Sequence, residues 1–187
     1  MLRDRIQALQ KALSDKEDSV RQAAASSLDV LEACGEIEIL LDQLNNGERG
    51  QKITAAYALG RVNSPKIFLP LLEALKSEDS DLRATVAQVL GSKSHPKTLG
   101  PLIRALADSE PGVQVELVKA IACFSDRRIP TYLEPLLKKT DEVALAAVEA
   151  LGTLSFVEGE TALIIALKDK RPRIRQAAAE ALGQLQV

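Results

Sequence analysis

The sequence predicts an all-α fold, an α-solenoid (superhelix) of about six stacked helical hairpins. A short helical sequence motif, called the phrase below, occurs six times and ends each time in a large aliphatic residue. The successive gaps between these residues are 31, 31, 31, 30 and 31. Those residues are Leu28, Leu59, Leu90, Ile121, Leu151 and Leu182. A second amphipathic stretch precedes each phrase, and the chain has three Phe, two Tyr and no Trp. Because one hairpin cannot bury its apolar face alone, this period indicates hairpins that pack on one another.

The second helix of each hairpin is predicted from apolar residues at helical spacing. In the first repeat Val20, Ala23, Ala24 and Leu28 share one face, which is helical periodicity and not strand alternation. Alanine favours helix and lets neighbouring helices approach closely. Glycines near the end of the phrase are expected to close the helix in a left-handed conformation. At positions 152 and 183 helix-compatible residues follow, so close contact is the alternative there. The glycines are Gly60, Gly91, Gly152 and Gly183.

The first helix of each hairpin is predicted from an apolar run that ends in a small turn. The runs cover residues 6–13, 37–44, 69–75, 99–106 and 163–167. Prolines are expected to open two first helices and two second helices, because the first turn does not need their amide. These prolines are Pro65, Pro96, Pro111 and Pro172. Pro70 and Pro101 fall later and should bend the first helix or force it to restart. Around Pro135 the first helix of the fifth repeat has either shifted or lost turn residues.

The 187 residues are expected to form a single domain, because no stretch rich in Gly, Ser and Pro marks a boundary. The predicted repeats cover approximately residues 1–34, 35–64, 65–95, 96–126, 127–156 and 157–187. Polar residues around Arg5 suggest a cap on the first helix. The outer face of the last repeat is a candidate surface for a homo-oligomer or a partner.

Cysteine usage and hydropathy point to a cytoplasmic protein without a membrane span. Cys34 and Cys123 are almost three repeats apart, beyond disulfide reach, and are expected to be reduced, small buried residues. No apolar stretch approaches the roughly 20 residues that cross a bilayer, and the amino terminus lacks a signal-peptide core. The chain carries 24 basic and 26 acidic residues.

The alternation of two short patterns resembles the HEAT-like repeats named after phycobilisome lyases. Pro-Leu-Leu-Glu-Ala-Leu at 70–75 and Pro-Leu-Ile-Arg-Ala-Leu at 101–106 alternate with the phrase that is clearest at 174–183. The resemblance covers essentially the whole chain. It implies recognition by an α-helical surface, since that family includes subunits of phycobilin lyases, pigment-protein chaperones and adaptors.

Two classes of enzyme are built on similar HEAT-like repeats, and the residues of this chain argue against both. HEAT-like hydroxylases hold two irons with several His-Glu pairs, whereas His95, before Pro96, is the only histidine here and is interpreted as a solvated loop residue. We therefore expect no metal, no cofactor and no catalytic residue. HEAT-like DNA glycosylases use a basic concave face with aromatic side chains. The balanced charge and the lack of Trp predict no nucleic-acid binding.

The resemblance implies that the second helices line a concave face. A row two residues after the phrase begins is expected to give an apolar stripe bracketed by glutamines: Gln22, Ile53, Ala84, Val115, Leu145 and Gln176. One turn further lies a mixed polar row: Ser26, Tyr57, Gln88, Lys119, Glu149 and Glu180. Together these rows suggest a groove for a partner's helix or extended segment. The alternative is that Val115 and Leu145 rotate into the core as the superhelix twists.

A basic run crosses the last turn within a repeat, and it could hold an anionic partner. Its members are Lys168, Lys170, Arg171, Arg173 and Arg175. The alternative is a solvated turn. Asp15, Asn46, Asp108 and Asp169 recur at this turn for capping and turn reasons.

From these patterns we expect a non-catalytic scaffold or adaptor that binds another protein on its concave face. A subunit of a phycobilin lyase or a pigment-protein chaperone is the alternative. Neither the partner nor the oligomeric state is readable from the sequence.

Overall fold

The computed structural model describes residues 2–185, without the side chains of residues 2, 3, 29 and 32–34. Within that range the chain forms eleven α-helices and three short 3₁₀ segments, and no strand. The α-helices are α1 (Leu2–Ala12), α2 (Asp18–Asn46), α3 (Arg49–Arg61), α4 (Phe68–Ala74), α5 (Ser80–Lys93), α6 (Pro96–Ala105), α7 (Pro111–Ala122), α8 (Ile129–Leu133), α9 (Asp141–Leu154), α10 (Glu160–Ala166) and α11 (Pro172–Leu182). The 3₁₀ segments are Pro65–Ile67, Glu134–Lys138 and Val157–Gly159. The predicted all-α solenoid is confirmed.

One long helix replaces two predicted ones near the amino terminus. The second helix of the first repeat and the first helix of the second repeat, expected as separate segments, form the single 29-residue helix α2. The boundary expected between residues 34 and 35 therefore falls inside a helix. Between Leu28 and Ile37 the sequence has no proline, whereas Pro65 and Pro96 start new segments at the corresponding places. Without a proline, nothing removes an amide from the helical hydrogen bonds.

The prolines act largely as predicted. Helices α6, α7 and α11 begin at proline residues, and a proline opens the 3₁₀ segment before α4. Helix α4 restarts just before Pro70, while α6 continues through Pro101. In the fifth repeat the first helix is split, since the five-residue α8 is followed by a 3₁₀ segment that contains Pro135.

Gly91 and Gly152 serve close helix packing, whereas a Cβ on Gly183 would meet only carbonyl oxygens of its own helix. No described glycine has a positive φ, so the prediction that they close helices in a left-handed conformation is wrong. Ser94 and Ser155 do this instead, with φ of 45° and 51°. A Cβ on Gly91 would lie 2.5 Å from the Cα of Ala120, and a Cβ on Gly152 would lie 2.8 Å from the Cβ of Ala181. Each of these glycines therefore gives room to the next second helix.

The core is one continuous layer between the first and the second helices. The closing residues of the middle repeats lie at its centre, fully buried: Leu59, Leu90, Ile121 and Leu151. This main core cluster runs from Ile37 to Ala181. The repeated phrase is therefore a packing motif.

Among the described residues, no helix combines the length and the apolar character needed to cross a membrane.

In four hairpins, one side chain from the second helix donates a hydrogen bond to the turn between the two helices. Arginine guanidinium groups donate to turn carbonyl oxygens six residues earlier, at 2.7–2.8 Å: Arg21 to Asp15, Arg83 to Ser77, and Arg175 to Asp169. Gln114 takes this place in the fourth repeat and donates to the Asp108 carbonyl oxygen. The carboxylates of Asp15, Asp108 and Asp169 accept from the amide two residues on. Their predicted turn role is confirmed, while Asn46 ends α2 and bonds Asp42.

Candidate functional site

The second helices present a continuous groove to solvent. Helices α3, α5, α7 and α9 pack directly on one another in chain order. A cavity of about 620 Å³ lies on the solvent-facing side of these helices, between α3, α5 and α7. A smaller one of about 220 Å³ continues along α7 and α9. Because Lys119 and Cys123 line both cavities, we treat them as one feature, the second-helix groove.

One exposed polar side chain per repeat follows the second-helix groove. Tyr57, Gln88, Lys119 and Glu149 come from α3, α5, α7 and α9, and all of them line it. The Tyr57 hydroxyl donates to Gln88 Oε1 at 3.1 Å, which links two repeats. Lys119 Nζ donates to Glu116 Oε1 at 2.7 Å within α7. The structure thus brings together four of the six residues of the mixed polar row, whereas Ser26 lines a separate groove between α1 and α2 and Glu180 accepts from Gln176 within α11.

The apolar row lies deeper than the polar row. Ile53, Ala84, Val115 and Leu145 are each half-buried, and the first three pack against the core. Of the four, Ala84 lines the groove. The bracketing glutamines are exposed and bonded within their own helices: Gln22 to Asp18 and Gln176 to Glu180. The apolar residues therefore share their surface between the core and the outer face.

The two predicted rows leave out several groove residues. They are Asp81, Thr85, Ser92, Glu116, Cys123 and Thr153. A signal for them exists, because Asp81, Thr85, Gln88 and Ser92 follow one another at steps of four, three and four residues. That spacing marks one face of a helix. The two predicted rows describe only part of this face.

Cys123 lies in the groove and is exposed. It was expected to be a small buried residue, and this prediction is wrong. Its Sγ donates to the Lys119 carbonyl oxygen at 3.4 Å, one turn back in α7. The helix places Cys123 four residues after Lys119, so both point to the same face. The side chain of Cys34 lies outside the described residues.

His95 caps a helix and is half-buried. Its Nδ1 accepts from the Lys97 amide at 3.3 Å at the start of α6. Its ring lies against Phe68, with ring centroids 4.3 Å apart. The interpretation as a solvated loop residue is therefore wrong, since His95 joins the turn to the preceding repeat.

Two members of the basic run are engaged inside the fold. The Arg171 guanidinium donates to both carboxylate oxygens of Asp169 at 2.8 Å, and to the Leu137 and Lys139 carbonyl oxygens at 2.7 and 2.9 Å. The hydrogen bonds that Asp169 accepts from the Arg171 guanidinium, and then from the Arg171 amide, lower the pKa of Asp169 to about 2. Arg175 caps the turn carbonyls.

The other members of the run are Lys168, Lys170 and Arg173, which are exposed. Only these three side chains of the run remain available to an anion, because Arg171 bonds carbonyl oxygens of the preceding repeat and Arg175 bonds those of the turn.

The chain matches known repeat families over most of its length. The family described as HEAT repeats matches residues 37–92, 68–152 and 132–186. The family described as HEAT repeat matches residues 6–33. No curated protein matches the chain.

Solved structures with the same repeat architecture include natural and engineered proteins. The complex of CpcE and CpcF of phycocyanin lyase from Nostoc is 22% identical, with a TM-score of 0.68, over 80% of this chain and 65% of that chain. A designed armadillo repeat protein in complex with the peptide (KR)4 is 17% identical, with a TM-score of 0.62, over 99% of both chains. An engineered protein is 20% identical, with a TM-score of 0.56, over 96% and 95%. At these identities the likeness shows a shared fold.

Proposed function

The chain belongs to the HEAT-repeat family, and we propose that it is a non-catalytic scaffold that holds a segment of another protein in the second-helix groove. A HEAT solenoid is a fold typical of protein-interaction scaffolds, because stacked hairpins create long open surfaces. The observation that carries the proposal is the groove across α3, α5, α7 and α9, with one exposed polar side chain from each helix.

The groove suits a helix or an extended segment. Its floor consists of small side chains, among them Ala84, Ala120 and Ala146, so a partner's backbone can approach closely. Tyr57, Gln88 and Lys119 stand along it as donors and acceptors. Hydrogen bonds to a segment would then fix its register, while the alanines of the floor contribute apolar contact. The designed armadillo repeat protein with its bound peptide supports this use of a related architecture.

A selection from a displayed library of random peptides tests the proposal. Peptides enriched on the wild-type chain should bind Lys119→Glu and Tyr57→Ala at least about tenfold more weakly, a loss of about 1.4 kcal/mol. Arg104→Glu is the matched control, because Arg104 is exposed on the first helix α6. Peptides that bind all four proteins equally, or that fail only on Arg104→Glu, would place the binding surface elsewhere.

The second candidate is a subunit of a phycobilin lyase or a pigment-protein chaperone. The similar fold of the phycocyanin lyase complex favours it over other enzyme classes. Adding a bilin to the chain, with and without an acceptor phycobiliprotein, separates the two proposals. A shift in the bilin absorbance band supports the pigment-handling role, and an unchanged spectrum under both conditions removes it.

A further inference from the structure

The turns inside the fifth and sixth hairpins carry a dense group of basic side chains. Residues 138–142 and 168–175 contain seven Lys and Arg residues and three Asp and Glu residues, in a chain whose formal net charge is -2. Five of the basic side chains are exposed and make no hydrogen bond or ion pair with any described residue. We call these five residues the basic edge: Lys138, Lys139, Lys168, Lys170 and Arg173.

Arg171 holds the two turns together. Its guanidinium donates to the carbonyl oxygens of Leu137 and Lys139 in the fifth hairpin and to the Asp169 carboxylate in the sixth. The turn that carries Lys170 is thereby fixed next to the segment that carries Lys139. Bringing like charges together costs electrostatic energy, so the basic edge is one crowded surface whose repulsion an anion would relieve.

Helix stability does not account for these charges. Counted back from the closing leucine of each phrase, the third repeat has acidic residues where the sixth has Lys170, Arg171 and Arg173: Glu78, Asp79 and Asp81. These positions lie at the start of the second helix, where the helix dipole favours acidic side chains and disfavours basic ones. The sixth repeat thus carries charges of the sign that its helix α11 disfavours, which points to a binding role.

The exposure of the basic edge does not depend on where the solenoid ends. Helices α5 and α7 have second helices packed on both sides. Even so, the residues of the third and fourth repeats that correspond to Lys168, Lys170 and Arg173 are all exposed: Lys76, Glu78, Asp81, Ala107, Ser109 and Gly112. A hairpin stacked on α11 would therefore leave this edge open to a partner.

Acidic turns on the same edge restrict the kind of anion. The corresponding turns of the third and fourth repeats carry Glu78, Asp81 and Glu110, and α9 begins with Asp141 and Glu142. All of these carboxylates are exposed. A nucleic acid or an anionic bilayer surface spreads negative charge over a long distance and would face them as well. A short polypeptide segment can confine its charge to the two basic turns.

We propose that the basic edge binds a run of aspartate and glutamate residues in another protein. Lysine ammonium groups on flexible stems adapt to carboxylates at varied spacing, while the planar Arg173 guanidinium can hold one carboxylate with two hydrogen bonds. Each exposed pair contributes little alone, so binding requires several acidic residues at once and weakens as salt screens the charges. None of the five residues lines the second-helix groove, and the site does not require the groove to be occupied.

Fluorescence anisotropy with a labelled octaglutamate peptide at low ionic strength tests the proposal. The full chain should bind this peptide and should not bind octaserine. The double variant Lys139→Glu, Lys170→Glu should bind at least about tenfold more weakly, because two attractions become repulsions. The matched control is Lys66→Glu, Lys97→Glu, which reverses two exposed lysines at the starts of first-helix segments and should change binding by less than about twofold.

Two further comparisons separate this site from other surfaces and other anions. Tyr57→Ala, which alters the second-helix groove, should bind octaglutamate like the wild type. A single-stranded oligothymidylate of matched length and vesicles that contain phosphatidylserine should bind the chain more weakly than octaglutamate does. The milder double variant Lys138→Ala, Lys168→Ala should lose about threefold in affinity, and circular dichroism verifies the fold of every variant.

Four results would overturn the proposal. The first is no binding of octaglutamate at low ionic strength, and the second is an equal loss in the charge-reversal variant and its control. The third is tighter binding of the oligothymidylate or the vesicles, which would assign the edge to a nucleic acid or a membrane. The fourth is a loss in Tyr57→Ala alone, which would place the acidic peptide in the groove and leave the scaffold proposal intact.

Discussion

The middle of the solenoid and its first hairpin are built from the same phrase but pack differently. In the middle, α5, α7 and α9 contribute most of their apolar residues to the main core cluster. In the first hairpin, Ala24 and Leu28 are buried but lie outside that cluster. No described side chain of α1 is fully buried. The amphipathic phrase therefore forms the helix, while contacts between neighbouring repeats complete the core.

The difference lies in the contacts and hydrogen bonds that each second helix makes with the neighbouring repeats. Helix α5 has a repeat on either side, gives room to α7 at Gly91, and is tied to the next turn by Arg83, which donates two hydrogen bonds to the Asp108 carboxylate at 2.7 and 2.9 Å. In the first hairpin Arg21 instead bonds the exposed Asp18 of its own helix. In a solenoid, stability is a sum of repeat and interface contributions, so the hairpin with fewer interfaces is the less stable one.

Truncation of the equivalent leucines should give the largest contrast. Leu90→Ala removes a fully buried side chain from the main core cluster and should cost about 2–5 kcal/mol of unfolding free energy. Leu28→Ala should cost less, because the first hairpin can open without disrupting the middle. Urea denaturation followed by circular dichroism measures both values. Equal losses would show that the chain unfolds as one unit with its first hairpin.

Substitution of glycines should give the next largest effect. Gly91→Ala forces a methyl group against the backbone of Ala120, and such overpacking should cost about 1–3 kcal/mol. Gly112→Ala is the matched control in the neighbouring helix α7, since a Cβ there meets nothing within 4 Å. It should stabilise the protein by up to about 1 kcal/mol, because alanine is the better helix former. If both substitutions stabilise, the helices of the middle repeats can separate at little cost.

Acid should produce the smallest and most gradual effect. Hydrogen bonds from arginine lower the pKa of Asp108 and bring the pKa of Asp169 to about 2, whereas an unfolded aspartate titrates near 3.9. A carboxyl group with a lowered pKa stabilises the fold above its unfolded pKa and loses this contribution as the pH falls through its folded pKa. The free energy of unfolding should therefore decline between about pH 4 and pH 2.

Asp169→Asn tests the origin of that decline. The variant should be less stable than the wild type at neutral pH and should show a flatter loss of stability in acid, measured by urea denaturation at a series of pH values. An unchanged acid profile would assign the loss to other carboxyl groups.

The features that recur in every repeat can be predicted from the sequence. The period of about 31 residues gave the hairpins, and the closing residues from Leu59 to Leu151 proved to be the centre of the core. Prolines located several helix starts because the restriction they impose is local. The recurring aspartates predicted the turns for the same reason.

Other features depend on neighbours that a single pattern does not contain. The role of Gly91 depends on how near α7 approaches, and the continuity of α2 depends on the lack of any residue that forces a turn. Helical periodicity identifies a face but leaves its rotation open, which is why Val115 lies deeper than Lys119. Residue type alone predicts burial for Cys123, whereas its place four residues after Lys119 puts it on the exposed face of α7.

The uninterrupted helix α2 also has a mechanical consequence. At 1.5 Å per residue, its 29 residues span roughly 43 Å, and they form part of the first hairpin and part of the second. Elsewhere a loop separates successive hairpins, so small rotations of one hairpin relative to the next can occur there. At this junction the backbone is one continuous helix. Torsion applied to the first hairpin is therefore transmitted directly to the second, and the elastic part of the molecule begins only beyond α2.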